Sequence, residues 1–145
     1  MADDAIRGYD TRVSWVVDRL HGDGTFRALI QRLGDVPTGS LGDASSEDGV
    51  VIADGLWGSF APILAGAAAV RLNRPLLYVT AHLDQADEVR DDIELFFGRA
   101  PELLAAFETT PGEGAASDEV HAERVRLCAA LEQGYTDKNL VIVAP

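Results

Sequence analysis

Apolar positions in the first 33 residues recur at helical spacing. Val13, Val16, Val17 and Leu20 fall on one face of a 3.6-residue period, and Phe26, Leu29, Ile30 and Leu33 repeat the pattern. Gly22 and Gly24 separate the two runs. The spacing therefore predicts two helices, with Asp10 or Thr11 placed to cap the first, Thr25 to cap the second, and Gly34 where the second would stop. From Gly34 to Gly49 the periodicity vanishes into Gly, Ser and Asp with Pro37 among them, and the segment reads as a linker or loop.

Beyond residue 50 short β-branched runs alternate with helical ones. Val50-Val51-Ile52-Ala53 reads as a strand, about Ser59 to Leu72 as a helix, and Leu76 to Thr80 as a second strand. A helix over roughly Asp84 to Phe97 aligns Ala86, Val89, Ile93, Phe96 and Phe97 on one face. Its first turns carry Asp84, Asp87 and Glu88, where carboxylates suit the helix dipole, and Gly98 ends it. A weaker extended run at Leu103 to Phe107, a Pro/Gly/Ala loop, a helix over about Ser117 to Gln133 and an apolar strand at Leu140 to Val143 complete the pattern. Uniformly apolar strands between helices predict an α/β fold of three layers, a mostly parallel sheet with helices on both faces. Residues 1–49 then form a helical extension and linker, and residues 50–145 the α/β domain. No internal repeat or low-complexity tract interrupts either part.

Composition narrows the class. Of 145 residues 47% are hydrophobic, enough for one core. The longest apolar stretches, Phe60 to Val70 and Leu76 to Val79, fall well short of the roughly 20 residues that span a bilayer, so no membrane association is expected. The start Met-Ala-Asp-Asp lacks the features of a signal peptide. A single cysteine, Cys128, permits neither an internal disulfide nor a cysteine zinc site, which points to a reducing, cytoplasmic setting. The net charge of -12 sets up repulsion against polyanions. It argues against tight nucleic-acid binding by this segment and suits either a protein partner or a surface charged for solubility.

One motif carries chemical meaning. A strand ending at Ala53-Asp54, then Gly55-Leu56-Trp57-Gly58-Ser59, then a helix is the setting of a phosphate-binding loop. Aligned to G-x-x-x-x-G-K-[ST], Gly55 holds the first position while Phe60, Ala61 and Pro62 replace the second glycine, the lysine and the hydroxyl. Phe60 obstructs backbone approach, Ala61 brings no cation, Pro62 has neither hydroxyl nor N–H, and Asp54 adds a negative charge. ATP hydrolysis is not expected; the plainer reading is a tight glycine-containing turn. Trp57, between two glycines, would either plug the former nucleotide pocket or meet another domain. Arg124 lies on the apolar stripe of its helix and needs a partner; Glu108 or Asp54 could form a structural ion pair with it. Cys128 sits at a core-facing spacing as a small buried hydrophobe. His21, His82 and His121 are too dispersed for a ligand cluster, and no metal or cofactor is expected.

With Gly55-Leu56-Trp57-Gly58-Ser59, an alanine-rich helix, Arg74-Pro75-Leu76-Leu77-Tyr78-Val79-Thr80, and a helix carrying Ala86 and Asp91-Asp92, the chain resembles the N-terminal UvrB-like domain of bacterial transcription-repair coupling factors. Phe107-Glu108-Thr109-Thr110-Pro111 is similar to the family's Trp-Glu-Thr-Leu-Pro segment, and Glu123-Arg124-Val125 with Cys128 and Leu131 to its Arg-Leu helix. Leu140 to Pro145 is similar to its closing apolar strand. The resemblance covers roughly residues 50 to 145. It implies a P-loop NTPase-like, helicase-like fold whose phosphate loop is degenerate, and a non-catalytic scaffold. Contacts with UvrA, RNA polymerase and DNA would belong to other domains of the full-length translocase, and a fragment of a longer protein is expected. Two other readings stand beside it: a nucleotide-binding enzyme domain with an atypical loop, and a free-standing acidic protein-interaction module.

Overall fold

The computed structural model describes residues 14–35, 50–106, 118–133 and 140–145. Helices α1 (Ser14–Gly22) and α2 (Gly24–Asp35) form a hairpin around Asp23. The Asp23 carboxylate accepts the backbone N–H groups of Thr25 (2.8 Å) and Phe26 (2.9 Å). Asp23 and not Thr25 is thus the cap of α2, because a side-chain acceptor must precede the first unsatisfied N–H groups. The proposed caps Asp10 and Thr11 lie outside the described residues. Helix α2 also runs through Gly34, to Asp35, rather than stopping there.

Helix α3 (Phe60–Leu72) ends at Asn73, whose left-handed backbone (φ 54°) lets Asn73 N–H reach Val70 O and Arg74 N–H reach Ala69 O. The turn delivers the chain through Pro75 into β1 (Leu76–Val79). Arg74 Nη1 donates to Leu33 O at 2.9 Å, tying the end of α2 to this corner. Helix α4 (Leu83–Phe97) stops at Gly98 (φ 71°), then come β2 (Glu102–Leu103), α5 (Asp118–Glu132) and β3 (Val141–Ala144).

The three strands form one parallel sheet in the order β1-β3-β2, with Leu76 opposite Val141 and Leu103 opposite Val143. Central β3 is buried throughout, as its uninterrupted apolar run requires. On one face α4 sets Ala86, Val89 and Ile93 against Val141, Val143, Leu76 and Tyr78. On the other, Leu127 of α5 packs with Leu140, Ile142 and Leu104. A third core joins Val17, Leu20 and Phe26 of the hairpin to Leu64, Ala67 and Phe96, so α1 and α2 share their packing with α3 and α4.

Two further expectations need correction. Val50 to Ala53 is not a strand: the run makes no backbone hydrogen bond among the described residues, and Ile52 is 85% exposed. Strand propensity is realised only by pairing and burial against neighbours, and here the run is unpaired and, Val51 apart, exposed. The helical cover is also incomplete. Leu77 and Val79 of edge strand β1 are 60% and 66% exposed, so the face carrying α5 is covered over β3 and β2 but not over β1. Among the described residues no helix is long and apolar enough to cross a membrane.

Candidate functional site

The loop from Asp54 to Ser59 turns tightly into α3. Gly55 and Gly58 take positive φ (76° and 52°), a conformation that L side chains rarely adopt, and Asp54 Oδ1 accepts Gly55 N–H at 2.7 Å. A phosphate loop works by leaving the first N–H groups of its helix free for anionic oxygens. Here Phe60 N–H donates to Trp57 O (3.2 Å), Ala61 N–H to Gly58 O (3.4 Å), and Pro62 has no N–H. The donors at the three substituted positions are therefore spent within the turn or missing. Ser59, at the N-cap, makes no side-chain cap hydrogen bond.

Beside this turn, at the carboxyl end of β1, lies an open cavity of about 620 Å³. Gly58, Ser59 and Pro62 form one side, Tyr78 and Thr80 its floor, and Glu88, Asp91 and Asp92 of α4 the opposite wall. Three carboxylates and no lysine or arginine give this wall the wrong sign for a phosphate chain. Burial, with the Asp92 charge, holds the Tyr78 phenol above its usual pKa.

Trp57 projects into solvent at 85% exposure and plugs nothing. Phe60 turns away from this cavity into a second and larger one of about 1050 Å³. That cleft runs between the α1–α2 hairpin and the extended run Val51 to Asp54, with Trp15, Leu29, Phe60 and Leu64 among its walls. Helical spacing gives no sign of it, because it depends on how the hairpin docks against a run expected to be in the sheet. The one readable signal is Trp15: it lies off the apolar stripe of α1 and is 69% exposed.

The expected ion pair between Arg124 and Asp54 is not formed. The Asp54 carboxylate is turned to Gly55 N–H, whereas the half-buried Arg124 donates through Nη1 to the Ala105 carbonyl. Glu108 lies outside the described residues. The Ala105 carbonyl gives the guanidinium an acceptor on the sheet side of α5, which helps to hold Arg124 there. The neighbouring Arg126 pairs instead with Glu102 of β2 at 2.9 Å. Cys128 is exposed, correcting the expectation of a buried thiol: Leu127 takes the sheet-facing position, and the next residue is rotated about 100° away. His21 stacks on Phe26 with ring centroids 5.9 Å apart. Among the described residues no three His, Cys, Asp or Glu side chains gather as a metal site.

Fold and site together define, among the described residues, a mixed helix and sheet protein with a small three-stranded parallel sheet and a tight glycine-containing turn at the start of α3. No family model, curated protein or solved structure matches the chain.

Proposed function

We propose that this chain is a non-catalytic scaffold domain of the transcription-repair coupling type, a helicase-like module with a degenerate phosphate loop that helps bring excision-repair proteins to stalled transcription. The observation that carries the reading is the turn at Gly55 to Pro62. It stands between an apolar run and a helix, yet where a phosphate loop carries its second glycine, lysine and hydroxyl it has Phe60, Ala61 and Pro62, whose N–H groups are bonded within the turn or absent, and it faces an acidic wall. The ordered resemblance of residues 50 to 145 supplies the repair context. In this reading UvrA, RNA polymerase and DNA are engaged by other domains of a longer, cytoplasmic protein. The test is the reading frame of the gene beyond Pro145. A continuation into a further small domain and a helicase motor is expected; a stop codon there overturns the assignment.

A second reading, an acidic protein-interaction module outside repair, is favoured by one feature: Trp15, Ile52 and Trp57 are all exposed on the side of the molecule that carries the large cleft and its adjoining turn. Large exposed aromatics of this kind are enriched at protein interfaces.

A further inference from the structure

We propose that Val50 to Ala53 docks on the free edge of β1 as a fourth parallel strand, acting as a strap that leaves the large cleft when it pairs. Leu76 N–H and Thr80 N–H point to β3, bonding Leu140 O (2.9 Å) and Ala144 O (2.8 Å). By the alternation of a strand, the N–H and C=O groups of Leu77 and Val79 point the other way. These outward groups have no backbone partner among the described residues. An unpaired edge bearing two exposed aliphatic side chains is a template for another strand.

The Val50 to Ala53 run is the complementary half. Three of its four residues are β-branched, it forms no helix, turn or bend and no backbone hydrogen bonds among the described residues, and Val50 and Ile52 are 70% and 85% exposed. Handedness selects where it belongs. The chain crosses from β1 to β2 by way of α4 on the Tyr78 face of the sheet, moving from β1 past β3. Helix α3 lies on that same face, since Pro62 shares a cavity with Tyr78 and Val89. About 98% of parallel crossovers are right-handed, so a strand feeding α3 must precede β1 in the same direction, which is outside the free edge. Reach is no obstacle. Gly58 and Ser59 line the same cavity as Val79 and Thr80, where a parallel strand would end, and residues 54–58 form a connection of ordinary length. Because Val51, Ile52 and Ala53 wall the large cleft, docking opens that cleft on one side.

Amide hydrogen exchange on the full chain tests this. The Leu77 and Val79 amides are expected to exchange at least about tenfold slower than unstructured amides, independent of protein concentration. Ile52→Pro, which cannot sustain a paired strand, should release them while Leu76 and Thr80 stay protected. Unprotected Leu77 and Val79 in the parent chain overturn the proposal, as does protection that survives Ile52→Pro. Protection lost on dilution overturns it too, by showing that the edge is filled by a second copy. If Ile52→Pro also frees Leu76 and Thr80, cysteines at Ala53→Cys and Val79→Cys in a Cys128→Ser background decide. An intramolecular disulfide supports the docked strand, and its failure to form under oxidising conditions overturns it.

Discussion

Asp23 shows how one carboxylate organises a helical hairpin. Its oxygen takes the first two N–H groups of α2, and the Phe26 N–H foremost holds its carboxyl below the ordinary carboxylate range. A depressed folded-state pKa means that the contribution is full above the unfolded carboxylate value and is lost as pH falls through the lower folded one. Asp23→Ala should therefore lower the thermal midpoint at neutral pH, while Asp23→Asn, which keeps the acceptor, should recover most of it. The gap between parent and Asp23→Ala should close in acid. Arg124 gives a second test. Its guanidinium satisfies the Ala105 carbonyl from a half-buried position, so Arg124→Ala should cost about 1 kcal/mol by urea denaturation. A loss below roughly 0.5 kcal/mol would mark it as a surface residue. That Arg124 needed a partner was legible from its place on the apolar stripe. That the Ala105 carbonyl is among its acceptors was not, because a backbone group nineteen residues away leaves no mark in side-chain identity.

At the scale of elements, the closest packing joins α3 to α4 at Gly66. A Cβ there would stand 2.3 Å from two ring carbons of Phe97, which itself packs against both the helical and the sheet cores. Gly66→Ala would gain up to about 1 kcal/mol of helix propensity. Displacing the ring costs about 1–3 kcal/mol, so net destabilisation is expected in urea unfolding. Equal or greater stability would show that Phe97 yields freely. The five helices among the described residues and the strands at Leu76 and Val141 were legible because their periods are long or wholly apolar. The run at Val50 misled because four β-branched and small residues make a strand only when they are paired, and among the described residues these are not. Coverage of β1 was likewise invisible, since Leu77 and Val79 look the same in sequence whether a helix lies over them or not. Lysine at Leu77 should accordingly change stability by less than about 0.5 kcal/mol, whereas Ile93→Ala in the α4 core should cost about 2–5 kcal/mol.

For the whole molecule, charge and the turn at Gly55 to Pro62 point the same way. A chain of net charge -12 places Glu88, Asp91 and Asp92 opposite a helix start whose substituted positions offer no free donor. The missing lysine and hydroxyl were readable in Ala61 and Pro62. The acidic wall was not, because it arises only when α4 is laid beside α3. The central proposal, that the turn at Gly55 to Pro62 stands where a phosphate loop would but carries no nucleotide chemistry, is tested most directly by thermal unfolding with and without millimolar MgATP. The account predicts an unchanged midpoint. Stabilisation approaching about 2.7 kcal/mol, the amount expected of a ligand at 100 times its Kd, would contradict it and identify a nucleotide-binding domain.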